Sequence, residues 1–111
     1  MSKISNKEMS GYVRSRTPFS NHNDSAFAEF KGRNIYAVYS YGYHFPMYVY
    51  DADSFKWFGN EDKYSPTTSR HQSQAHPSVE GINWTTTDQL TAIIAHDGYH
   101  AYVSDRMKGA A

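Results

Sequence analysis

The strongest hydrophobic pattern lies in the middle of the chain. Asn34–Tyr41 (NIYAVYSY) is a run of β-branched and aromatic residues, the composition of a strand. Gly42–Pro46 interrupts it, because Pro46 has no backbone donor for a ladder. Met47–Tyr50 resumes the pattern, Asp51–Ser54 is a set of turn formers, and Phe55–Phe58 returns as a partner strand. Ala26–Lys31 fits one more short strand, with Gly32 and Arg33 turning the chain. These segments predict a three- or four-stranded antiparallel meander.

Near the C-terminus the period changes. Thr86 and Gln89 have the spacing of a capping box, in which each side chain satisfies the other residue's backbone donor. Leu90, Ile93 and Ile94 then make an apolar stripe at helical spacing. Gly98 is placed to cap or kink, and Tyr99–Met107 reads as a second helical segment with Tyr102, Val103 and Met107 on its apolar side. The predicted fold class is therefore α+β: a small antiparallel tyrosine-rich sheet, covered on one face by one or two C-terminal helices.

Two segments carry neither period. Residues 1–24 are rich in Ser, Asn and charge and predict a flexible polar leader, leaving 25–108 as a single α+β domain. Lys3, Lys7, Arg14 and Arg16 against Glu8 make its first part basic. Glu61–Pro77 has almost no aliphatic content and predicts a long loop, a kind of segment that is often functional.

Composition narrows the classes. Leu occurs once, at Leu90, while ten Tyr, six Phe and two Trp supply much of the bulk, so aromatic rings must do the work of an aliphatic core. With no Cys, disulfides, thiolate zinc sites and a Cys nucleophile are excluded. No apolar run approaches the roughly 18 residues of a membrane span. The N-terminal residues lack the apolar run of a signal peptide, so a cytoplasmic location is expected. Formal net charge is zero, without the basic excess usual in non-specific nucleic-acid binders.

The densest chemistry is Thr67-Thr-Ser-Arg-His-Gln-Ser-Gln74, which offers hydroxyls, a guanidinium, an imidazole and two amides. Such a set grips phosphate, ribose or base edges. Lys63 and Tyr64 precede it, and Tyr41, Tyr43 and His44 join it if the segment folds back over the sheet. The candidate partner-binding residues are thus Lys63, Tyr64, Thr67, Thr68, Ser69, Arg70, His71, Gln72 and Gln74, with Tyr41, Tyr43 and His44. The competing reading is that these groups satisfy the loop's own backbone. A catalytic reading makes His71 a general base, Arg70 an anion clamp, and Ser69 or Tyr64 the nucleophile or acid. His71 with His76, and His96 with His100, have chelating spacings without an evident third ligand, so no metal and no cofactor is expected. Tyr36, Tyr39, Tyr41, Tyr43, Tyr48 and Tyr50 are core rings, interface anchors or base-stacking platforms according to the face each occupies.

Two stretches carry a resemblance. Tyr39-Ser-Tyr-Gly-Tyr-His-Phe-Pro-Met-Tyr-Val-Tyr-Asp51, followed closely by Trp57, and Asp62-Lys-Tyr-Ser-Pro-Thr-Thr-Ser-Arg-His-Gln-Ser-Gln-Ala-His-Pro77 resemble a small domain family of bacteriophages and other mobile elements. Its members share a YSYG-x-H-aromatic-P run followed by a DKYS-x-TTSRH-x-SQ run. The similarity spans roughly residues 34–77, and His76 stands where the family often has Arg. It implies a phage setting and supplies no mechanism. Small phage proteins often bind and redirect host machinery, so the expected function is a non-enzymatic inhibitor of a host nucleoprotein or defence complex, of the anti-CRISPR kind. A single-stranded nucleic-acid-binding module is the second expectation, and a small hydrolase or nuclease the third.

Overall fold

Strand β4 (Ile35–Ser40) is buried along its whole length. Successive strand residues face opposite ways, so a wholly buried strand needs cover on both sides. The computed structural model, which describes residues 2–110 and the side-chain surroundings of 3–107, supplies that cover. One face of the sheet carries α1 (Met9–Arg14) and α2 (Pro66–Gln74); the other carries α3 (Thr87–Ala95) and α4 (Tyr99–Ala110). The predicted C-terminal helices are present, and the Thr86–Gln89 capping box forms. Helical cover of one face only is corrected to cover of both.

The antiparallel meander is also present, as β3 (Ala26–Lys31), β4, β5 (Pro46–Asp51) and β6 (Lys56–Asn60). The sheet is larger than expected. β2 (Phe19–Asn21) adds antiparallel to β3, while β1 (Ser2–Ile4) and β7 (Asn83–Thr85) form the edges, parallel to β2 and β6. A seven-stranded mixed sheet in the order β1 to β7 replaces the expected three or four antiparallel strands. The three added strands are SKI, FSN and NWT, too short for an alternation to register.

The expected polar leader is corrected too. Met1 lies outside the described residues, but Ile4, Met9, Val13 and Phe19 are buried in the same core as Ala26, Tyr36, Val38 and Trp57. The expected loop at 61–77 is in part a helix. Ser65 caps α2 by accepting the Thr68 N–H at 3.1 Å, and Pro66 occupies the first turn, where its missing donor costs nothing.

Two irregularities position the surfaces described below. The β4–β5 register slips between Val38 and Tyr39, leaving Met47 as an extra residue, so Met47 and Tyr48 both join the core under α1 and α2. Between α3 and α4, Asp97 (φ 55°) and Gly98 (φ 147°) redirect the chain. The Asp97 carboxylate accepts the Arg33 and Asn34 N–H groups, both at 3.0 Å. Gly32, at φ +62°, passes under it, and a Cβ there would stand 2.5 Å from Asp97 Oδ1. Gly32→Ala is therefore expected to cost about 1–3 kcal/mol in urea unfolding, from left-handed strain and displacement of that carboxylate. An unchanged midpoint would show that the 32–34 turn relaxes freely. Among the described residues no helix is long and apolar enough to cross a membrane.

Candidate functional site

Helix α2 divides the predicted contact residues by its own geometry. Thr68, His71 and Gln72 fall on the inward stripe, together with Ala75. His71 is 3% exposed, with Nδ1 2.9 Å from Ser40 Oγ and Nε2 3.4 Å from Ser25 Oγ. The Thr68 hydroxyl meets those of Ser40 and Ser65 at 3.3 and 3.1 Å. Gln72 donates its amide to the Asn60 and Asp62 carbonyls, and its own carbonyl accepts from Tyr48 Oη at 2.6 Å. These three residues hold α2 onto the sheet. Their assignment to a contact surface is corrected, because α2 folds as a helix and turns them inward.

Other members scatter less. Ser69 and Gln74 are half-buried. The Tyr43 ring goes to the opposite face, 5.0 Å from Tyr39 and 5.2 Å from Phe27, with Lys31 Nζ 4.1 Å above it. It leaves the predicted surface because φ of 58° and 118° at Tyr41 and Gly42 reverses the chain between Tyr41 and Tyr43.

Seven predicted residues are exposed; apart from Tyr43 on the opposite face, they are Lys63, Tyr64, Thr67 and Arg70 from the 61–74 segment, with Tyr41 and His44 from the β4–β5 connection. The structure brings the two segments together. Tyr64 packs 5.8 Å from both His44 and Phe45, and the Tyr41 ring lies 5.6 Å from His71. Arg70, next to His71 in the chain, makes no hydrogen bond or ion pair among the described residues. Two exposed rings, on the segments that flank β4 and α2, and an unengaged guanidinium on α2 thus lie on one side of the molecule.

The catalytic arrangement imagined from sequence is not assembled. The His71 imidazole pairs with Ser40, which is 1% exposed, and not with Ser69 or Tyr64. Among the described residues no three His, Asp or Glu side chains converge as a metal-holding group. His96 instead binds the Ala92 carbonyl and Asp105, and His100 binds Asp53.

Burial, helped by the neighbouring Arg70 charge, holds His71 below its ordinary value of 6.5, so the folded state favours the neutral ring. The stability this provides is complete above 6.5 and is lost as pH falls below it. His96 has the opposite sign. The Ala92 carbonyl and Asp105 raise it, so its contribution is complete at acid pH and fades as pH rises through the raised value. His96 is solvent-screened and His71 is not, so His71 dominates. The melting temperature is expected to drop between about pH 7.5 and about pH 5.5, above the carboxylate range. A flat or rising profile in a His96→Gln variant, which removes the opposing contribution, would show that His71 is not a buried neutral group.

No protein family, curated protein or solved structure matches the chain. The resemblance to the phage domain family rests on the two motifs alone. The structure gives those motifs one physical meaning: their residues form the β4–β5 connection and the α2 segment, which pack together. Lys56, between Phe55 and Trp57 in a predicted strand, and Trp84 and Arg106, each among polar residues, carry no local signal of a site, yet they line a cleft on the far face of the sheet.

Proposed function

We propose that this chain is a non-enzymatic binding protein that engages a host nucleoprotein or defence complex through the exposed surface beside α2. The supporting observation is the combination of Arg70, free of any partner among the described residues, with the exposed rings of Tyr41 and Tyr64. Tyr and Arg are the residue types that anchor interfaces. The resemblance to phage domains supplies the host complex as the setting. The same surface supports a second reading, single-stranded nucleic acid, because exposed rings stack on bases while Lys63 and Arg70 meet phosphates.

The test pairs Tyr64→Ala with Arg70→Ala and leaves His71 intact, since His71 organises the interior. Both residues are exposed, so the melting temperature is expected to stay within about 1 °C of wild type. Loss of Arg70 alone is expected to weaken binding by about 1.5–3 kcal/mol, the scale of a charge-assisted hydrogen bond. Pull-downs from bacterial lysate, with and without nuclease, separate the readings. Retention of a defined protein complex after digestion, lost in the double variant, supports the first. A complex that disappears on digestion supports the second. A double variant that binds as wild type rejects this surface.

A further inference from the structure

On the face of the sheet away from α2, helices α3 and α4 and strands β6 and β7 enclose a cleft of about 230 Å³. Its floor is apolar and largely aromatic. Phe58, Ile93 and Tyr102 are buried there, and the Tyr99 ring lies 5.2 Å from Phe58 at an interplanar angle of 31°.

The charged groups lining it, Lys56 and Arg106, are of one sign, beside the neutral polar Asn83, Thr85 and Gln89. Lys56 Nζ stands 6.0 Å from the Tyr99 ring centre, and the Arg106 guanidinium 5.6 Å from that of Tyr102. Arg106 donates to Tyr102 Oη at 3.2 Å. A hydroxyl that accepts from a cation keeps its own proton to give, and no described residue accepts it. Gln89 commits its carbonyl oxygen to the Thr86 N–H, leaving its NH2 group as a donor. No carboxylate lines the cleft, and neither cation forms an ion pair among the described residues. Of the acids on or beside these elements, Asp105 pairs with His96 and Asp53 with His100, and Asp88 of α3 is not among the lining residues. Lys56, the Tyr102 hydroxyl and the Gln89 NH2 group therefore have no acceptor among the described residues, and Arg106 keeps further N–H groups beyond the one it gives to Tyr102.

We propose that this cleft binds a small aromatic anion, a single ring bearing a carboxylate or a phosphate. The ring would lie on the Phe58–Tyr99 floor, where offset ring contacts are favourable, and the anion between Lys56, Arg106 and Tyr102. The volume falls below the roughly 300–1,000 Å³ of pockets for drug-sized ligands, which limits the ligand to about one ring. This site shares no residue with the α2 surface, so either assignment can fail without the other.

The experiment is an NMR titration of the full chain with sodium benzoate and with phenyl phosphate, using benzamide and inorganic phosphate as controls. Saturable shifts at the Ile93 and Val103 methyls are expected for one or both aromatic anions at millimolar concentrations, and the stronger of the two identifies carboxylate or phosphate as the anionic group. Arg106→Gln and, separately, Lys56→Gln are expected to weaken binding about tenfold or more. Both side chains are exposed, so the variants should fold, which their melting temperatures will verify. The assignment is overturned if neither aromatic anion gives saturable shifts. It is equally overturned if benzamide or inorganic phosphate binds as well, or if both variants bind as wild type.

Discussion

Replacing Met9 by Ala is expected to cost about 2–5 kcal/mol of stability, the range for emptying a fully buried large side chain. Met9 is 0% exposed and lies in the core with Ile4, Val13, Phe19 and Tyr36. Helix α1 has six residues, too few to persist in water without tertiary contacts. It is held by Met9 and Val13, one turn apart on its inner side, and by Arg14 Nε and Ser10 Oγ, which donate to the Pro77 and His76 carbonyls. The Tyr36 hydroxyl donates to the Thr17 carbonyl at 2.8 Å, fixing the turn that leads into β2. Residues 2–20 are thus part of the fold. Deleting 1–16 is expected to lower the melting temperature sharply and to leave β2 without its parallel neighbour. Equilibrium urea unfolding of Met9→Ala measures the effect. A change below about 0.5 kcal/mol, the scale of a surface substitution, would return this segment to the status of a leader.

The legible parts of the fold were those whose sequence pattern and burial agree. Ile35–Ser40 reads as a strand because every position is apolar or small, and the structure buries all of it. Thr86–Gln89 reads as a cap because the two side chains act within one turn. What escaped notice depends on distant partners. Ser2–Ile4 and Asn83–Thr85 are strands only because β2 and β6 offer them backbone groups, which no local composition announces. Met9 and Val13 lie among Ser, Asn and charged residues, so two buried positions in a six-residue helix leave no periodic signal. Helix α2 was missed for a different reason. Its inward stripe is Thr68, His71 and Gln72, a polar stripe that hydrogen bonds rather than hydrophobicity bring inside. The Ser65-Pro66 pair was the one available sign, an N-cap followed by proline at the first helical position. For the contact surface, residue types were legible and directions were not. Arg70 points out and His71 points in because the helix starts at Pro66, a start the loop reading did not contain. The tyrosines divide by face in the same way: Tyr36 and Tyr48 sit under α1 and α2, Tyr39 under α3, and burial pushes the Tyr48 phenol up to about 12.

Asp51→Ala is expected to cost about 3 kcal/mol or more and to loosen α4 before the rest of the molecule. Asp51 is 0% exposed at the end of β5. Its side chain accepts the Tyr99 N–H at 2.9 Å, the Asp53 N–H at 3.0 Å and the Ser54 hydroxyl at 2.7 Å. The first bond satisfies an opening donor of α4, which intrahelical bonding cannot reach. The other two set the β5–β6 turn, where Phe55 adopts φ 56°. One side chain therefore joins the sheet to the start of α4. Hydrogen bonds to a carboxylate are worth about 1.5–3 kcal/mol each, and alanine would strand several donors at once. Asp51→Asn keeps one acceptor oxygen and is expected to lose less. Hydrogen exchange resolves where the loss falls: in Asp51→Ala, amides of Tyr99–Val103 should lose protection well before those of β4. If protection falls uniformly, Asp51 stabilises the whole sheet and does not specifically anchor α4. If stability is unchanged, water replaces the carboxylate, and the attachment of α4 rests on Tyr102 and the aromatic floor beneath it.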